Sequence, residues 1–208
     1  MKKLLNFAAV AVGAVLSVSV CADDVISLPT ANLKNSPSLK FTLEKRRTSR
    51  TFSSKALSEL EISNLLWAAY GINRPASGKR TIPAARGIYA VEMYVALQDG
   101  VYKHNPGDNS LKKISDKDMR GESDGRKMGA QAPLVLVMVA DNSAFSGKGS
   151  LYIAVEAGAI MQNVYLYCAG YGYNTVVCGS FNAENWKKEL KLPENKSVIL
   201  TQVVGCKR

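Results

Sequence analysis

The chain has 208 residues and a formal charge of +10, with 47% hydrophobic residues, 21% charged residues and a single histidine. That length and apolar content suit one domain with a real core, and they exclude an unfolded polyion. With His104 the only histidine, a histidine-built metal centre is excluded, and a Ser-His-Asp or Cys-His hydrolase survives only with His104 as its base. What remains is chemistry supplied by a bound cofactor, or no chemistry.

Residues 1–22 read as a secretory signal. Lys2 and Lys3 precede an apolar run from Phe7 to Val20, and Val20-Cys21-Ala22 offers small residues for cleavage. The run is shorter than the roughly 20 residues a bilayer-spanning helix needs. The expectation is an exported, periplasmic protein, with membrane attachment only if Cys21 is lipidated. Losing Lys2 and Lys3 takes the charge from +10 to +8, which favours anionic partners. No zinc-finger, aromatic RNA-binding or helix-turn-helix pattern accompanies the charge, so nucleic acid is not expected. Cys168, Cys178 and Cys206 lie in apolar stretches and read as buried, inert thiols, with a Cys168–Cys178 bridge as the alternative.

Residues 23–40, with Pro29 and Pro37, read as an irregular arm, and 41–208 as the folded domain. Ser58 and Glu61 form a capping box that opens a helix with Ile62, Leu65, Leu66, Ala69 and Tyr70 at helical spacing; Gly71 ends it. Asn73 to Arg86 reads as a loop. Tyr89 to Leu97 alternates as a strand, and Asp99-Gly100 turns it into a second strand, Val101 to His104. The turn that follows predicts an exposed His104. Pro133 to Ala140 is an unbroken apolar run, expected to be a strand buried on both faces. Leu151 to Ala169 reads as a long apolar helix in the core or at a subunit interface. Two strands, 174–180 and 197–205, flank a short helix near Trp186. The fold class is α+β, a mixed sheet flanked by helices.

Lys45-Arg46-Arg47-Thr48-Ser49-Arg50-Thr51 concentrates four cations and three hydroxyls just before a capped helix. Guanidinium groups hold phosphate oxygens through paired bonds, and in an extended segment Arg46, Thr48 and Arg50 share one face. A basic run is also the ordinary signature of a solvated surface.

The order of the motifs adds to this. Arg46-Arg-Thr-Ser-Arg-Thr-Phe52, then Leu57-Ser-Glu-Leu-Glu61 and Leu65-Leu-Trp-Ala-Ala-Tyr-Gly71, resembles the opening of the FMN-dependent nitroreductase family, nearest its thiazoline/oxazoline dehydrogenase-like branch. Leu28-Pro29 stands where that branch has a leader, and Pro83-Ala-Ala-Arg-Gly-Ile-Tyr89 resembles its Pro-Ser-Ala-Gly loop. Glu156-Ala-Gly-Ala to Gly172 and Val177-Cys-Gly-Ser-Phe181 resemble the long helix and the flavin-facing strand end.

The resemblance implies a nitroreductase-like fold, a homodimer, noncovalent FMN, and hydride transfer at flavin N5 to or from a small molecule. By position, Arg46, Arg47 and Thr48 hold the phosphate and ribityl chain. Arg50 lies near the N1/O2 edge of the ring, where reduction places negative charge. Ala84 and Ala85 line the ring, Gly179 and Ser180 present backbone donors near N5, and Lys207 reaches the phosphate. No side chain is required as an acid or base. Thr48 and Ala84 replace serines of the family pattern, and Arg86 replaces a glycine. Arg86 is assigned to substrate, with a flavin contact or a solvent-facing role as alternatives. The polar stretch 105–130 suggests a reduced lid. Export, where nicotinamide nucleotides are scarce, points to a protein or small-carrier electron donor. The alternative function is a degenerate family member that binds flavin or another anion without turnover.

Overall fold

A computed structural model describes residues 25–208. The signal, its cleavage site and Cys21 lie outside the described residues. In chain order the elements are β1 (Val25–Ser27), α1 (Leu39–Lys45), α2 (Glu59–Tyr70), β2 (Ile72–Arg74), β3 (Lys79–Arg80), β4 (Val91–Leu97), β5 (Gly100–Asn105), β6 (Ser110–Ser115), β7 (Leu134–Asp141), α3 (Gly149–Tyr171), β8 (Tyr173–Cys178), α4 (Ala183–Glu189) and β9 (Lys196–Cys206). Seven strands form one sheet in the order β1-β6-β5-β4-β7-β9-β8, and β2 and β3 form a separate ribbon. The α+β class stands, but every pairing among the described residues is antiparallel, so the sheet is not mixed.

Strand β7 explains how the core divides. Leu134, Leu136, Met138 and Ala140 enter the cluster beneath α2 and α3, while Val135, Val137 and Val139 enter the cluster around Trp186. A central strand covered on both faces has no polar side to show, hence its unbroken apolar run. On α3, Ile153, Ala157, Ile160, Val164 and Cys168 make the buried stripe. Its other flank keeps Leu151 and Val155 exposed, so the helix is not the wholly buried rod its composition suggests. The capping box of α2 is present as expected: the Ser58 side chain accepts from Glu61 N, and Glu61 accepts from Ser58 N at 2.7 Å. Gly71 caps α2 without a left-handed φ; a Cβ there would lie 2.6 Å from Trp67 Cα, so the requirement is space.

Five elements depart from expectation. Helix α1 alternates Leu39, Phe41 and Leu43, a strand-like pattern, yet these side chains are exposed and Thr42 faces inward against Gly170. The Ser38 hydroxyl caps it by accepting from Phe41 N. Strands β1 and β6 lie in segments that read as irregular, and the loop 73–86 folds back as the β2–β3 ribbon. Among the described residues Cys168, Cys178 and Cys206 are all free, so the Cys168–Cys178 bridge is not formed; Cys168 and Cys178 are buried, and burial pushes both thiols up.

His104 is the largest correction. It is 4% exposed, because β5 is flanked by β4 and β6 rather than ending at the surface. Burial, reinforced by the charge of Arg80, lowers its pKa from the ordinary 6.5 to about 4. The unfolded chain therefore takes up this proton first as pH falls. Stability that is fully present above pH 6.5 is lost between 6.5 and 4, by about 3 kcal/mol. Urea unfolding across that range is expected to show this loss, and the variant His104→Leu to show a correspondingly shallower pH dependence.

Candidate functional site

The segment after α1 runs beside the edge strand β8. Ser49 N donates to Thr175 O at 3.0 Å, Asn174 Nδ2 to Thr51 O at 2.7 Å, and Ser53 N to Cys206 O at 3.0 Å. These bonds give residues 49–53 an extended course along an edge that would otherwise expose unpaired backbone groups. Thr48 Oγ1 meets Tyr165 OH at 3.0 Å, and that hydroxyl accepts from Val177 N at 3.2 Å. The Arg46 guanidinium lies 5.3 Å from the Tyr165 ring centroid. Tyr165 thus organises two of the expected ligands, although within an apolar helix it carries only the signature of a core residue.

Two clefts flank this segment. One, of about 480 Å³, is lined by Lys45, Arg46, Arg47, Asn174 and Lys207, with Gly170 and Gly172 at the end of α3. The other, of about 440 Å³, is lined by Arg50, Gly125, Arg126, Cys178, Gly179 and Ser180. Among the described residues, Arg46, Arg47, Arg50, Arg126 and Lys207 form no ion pair, while several cations elsewhere, Arg120 and Lys196 among them, do. A row of uncompensated cations along two adjoining concavities is a field suited to a bound anion.

The second cleft has a built wall. The Asp124 carboxylate accepts from Arg126 N at 2.8 Å, Met128 N at 3.0 Å and Gly129 N at 2.9 Å, which folds the segment back on itself. Gly125 N then donates to Ser180 O at 3.2 Å, joining this segment to the end of β8. The polar stretch that read as a reduced lid is therefore a compact wall that supplies Gly125 and Arg126, two lining residues the motifs did not single out. Opposite it, a Cβ added at Gly179 would meet no atom within 4 Å, so the strand end is open to the approach of a flat group. The Cys178 thiol is held protonated, by burial first and by Asp124 second, and is not poised as a nucleophile.

The structure brings Arg46, Arg47 and Lys207 together in one cleft and Arg50, Gly179 and Ser180 in the other, with Thr48 between them on Tyr165. It does not bring Ala84, Ala85 or Arg86 to either cleft within one chain. Their loop precedes β4, whose Val91 pairs with Ala140. Ala140 in turn faces Ser197, near the start of β9, whereas Lys207 follows the end of that strand. The two groups thus belong to opposite ends of the sheet. Arg86 is exposed and adopts φ 55°, ψ 16°, a left-handed conformation that costs a non-glycine residue about 1 kcal/mol. Gly87 N to Ala84 O and Ile88 N to Ala85 O close the turns that hold it there.

Against known proteins, a model of the nitroreductase family matches residues 43–206. A nitroreductase-family protein of Methanocaldococcus jannaschii is 33% identical over 176 residues, which is 78% of this chain and 88% of the relative. A solved nitroreductase-family structure from Ralstonia eutropha JMP134 shares 34% identity at a TM-score of 0.84, over 88% of this chain and 90% of its own. A chain of the Escherichia coli microcin synthetase McbBCD complex, with truncated pro-MccB17 bound, aligns with 96% of this chain and 85% of its own at 17% identity and a TM-score of 0.70. At that identity the likeness is one of fold alone. With a family model spanning most of the domain, and a third of the residues shared with relatives over most of their length, the chain belongs to the nitroreductase family of oxidoreductases.

Proposed function

We propose that this chain is an FMN-dependent oxidoreductase that acts on a small molecule as a homodimer. The observation that carries the reading is the row of unpaired cations, Arg46, Arg47, Lys207 and Arg50, along two clefts, the second of which meets an open glycine strand end. Bound FMN supplies hydride transfer at its N5. The chain's own residues bind and orient it. Arg46, Arg47 and Lys207 neutralise a phosphate dianion, Thr48 contributes a hydroxyl held by Tyr165, and Gly179 and Ser180 border the ring. Arg50 sets a positive charge that favours the reduced form of the ring. Thr48 keeps the hydroxyl of the family's serine, and no acid or base side chain lines the second cleft apart from Asp124, whose oxygens are taken by backbone donors.

The dimer reading rests on apolar side chains that one chain leaves uncovered. Leu39, Phe41 and Leu43 on α1, Leu60 and Trp67 on α2, and Leu151 and Val155 on α3 are all exposed. Exposed apolar side chains on three neighbouring helices suit the association face of a homodimer. A second copy would also carry an Ala84–Arg86 loop toward the clefts that one chain leaves without it, with Arg86 reaching substrate. The thiazoline/oxazoline dehydrogenase-like branch is supported by motif order, with McbBCD as a fold-level likeness. Export through residues 1–22 to the periplasm, with a protein or small carrier as electron donor, completes the proposal.

Titration of FMN fluorescence is expected to show at least tenfold weaker binding for Arg46→Ala, since a charge-assisted bond to phosphate contributes about 1.5–3 kcal/mol. Arg50→Ala is expected to lower the reduction potential of bound FMN. Equal affinity and potential in both variants would contradict the assignment. Light scattering is expected to give a dimer mass for the parent chain and a monomer for Leu43→Glu with Val155→Glu, with FMN lost in parallel. A monomeric parent that retains FMN would refute the dimer.

A further inference from the structure

A pocket of about 530 Å³ lies between the β2–β3 ribbon and strands β4, β5 and β6, and shares no lining residue with the two clefts beside Arg46–Arg50. We propose that it binds a small monocarboxylate through Arg80 and His104.

Two polar groups in this pocket are left unspent. His104 is 4% exposed, and neither ring nitrogen makes a hydrogen bond of normal geometry, although the Asn109 side chain stands close by. Arg80 Nε is likewise buried without a partner, and Arg80 forms no ion pair among the described residues. A buried polar group left unpaired carries a desolvation penalty, so a native pocket that keeps two such groups on one lining is built to receive something that pairs them. The Arg80 guanidinium is fixed in place, 3.9 Å from the Tyr70 ring centroid and 4.4 Å from that of Tyr89. Its backbone N donates to Tyr89 OH at 2.9 Å. Tyr70 is itself held by Glu156 at 3.0 Å.

The neighbouring charges are already engaged. Glu92 accepts from Lys103 at 2.8 Å and Lys196 at 2.7 Å, and Asp108 accepts from the backbone N and hydroxyl of Ser110. What remains is one fixed cation and one neutral imidazole, which donates from one nitrogen. A planar, singly charged acceptor satisfies both, with two oxygens for the guanidinium fork and one shared with the imidazole N–H. A dianion would meet the Glu92 and Asp108 carboxylates on the same lining. Val91, Met93 and the two tyrosine rings supply an apolar wall, so the ligand carries an apolar or aromatic body behind its carboxylate.

The sole histidine makes the test direct, because every signal from a ¹⁵N-histidine-labelled full-length chain belongs to His104. Benzoate is the probe, with benzyl alcohol and inorganic phosphate as the uncharged and dianionic controls. Benzoate is expected to shift the His104 ring resonances saturably, the controls to leave them in place, and Arg80→Gln to weaken benzoate at least tenfold. No saturable shift with benzoate, meaning a pocket that holds water only, overturns the proposal. So does an equal response to either control, or undiminished binding in Arg80→Gln. Should Arg80→Gln fail to fold, the three probes on the unaltered chain decide the matter alone. The readout does not involve flavin, so it stands or falls separately from the proposed function.

Discussion

A buried carboxylate ties this fold together. Glu156, near the middle of α3, accepts from Ala90 N at 3.0 Å, Val91 N at 3.2 Å and Tyr70 OH at 3.0 Å. One side chain thereby joins the long helix to the end of α2 and to the first residues of β4. Burial raises its pKa, and the three donors oppose that shift. A carboxyl group in a core is tolerable only when its oxygens are filled in this way. Because Ala90 and Val91 are fixed, the loop before them is fixed as well. That loop carries Ala84, Ala85 and Arg86, and its anchor Tyr89 clasps Arg80.

The candidate site obeys a different constraint, the need to cover the edge of a sheet. Strand β8 is the last strand, and residues 49–53 run beside it under backbone and Asn174 bonds. The same bonds that blunt the edge also line up Arg46, Thr48 and Arg50 beside the clefts. One stretch of chain thus both covers an edge and gathers the cations of the proposed anion site. One chain gathers the cations at one end of the sheet and leaves the Ala84–Arg86 loop at the other. The exposed apolar side chains on α1, α2 and α3 offer the means to unite them across two copies.

Where one physical signal dominates, the sequence is readable. The β7 run, the α2 capping box and the turn at Asp99-Gly100 each follow from a local rule, and each is present. Helix α1 is not readable this way, since Leu39, Phe41 and Leu43 alternate as in a strand yet are exposed around a helix whose buried residue is Thr42. Strand β6, Ser-Leu-Lys-Lys-Ile-Ser, is polar enough to pass for loop and is a strand because β1 and β5 flank it. His104 illustrates the same limit: its neighbours spell a turn, but its burial is decided by strands distant in sequence. At the site, the basic run was legible as charge and chemistry. Tyr165 and the Asp124-folded wall were not, because their roles arise only when helix, loop and edge strand meet.

The proposed FMN site along residues 46–53 meets its sharpest test in the absorption spectrum of the purified full-length chain, before and after heat release of its ligand. Bound FMN gives bands near about 375 and about 450 nm, with FMN recovered in the supernatant. A colourless protein that also takes up no added FMN would contradict it and leave the clefts as a site for some other anion.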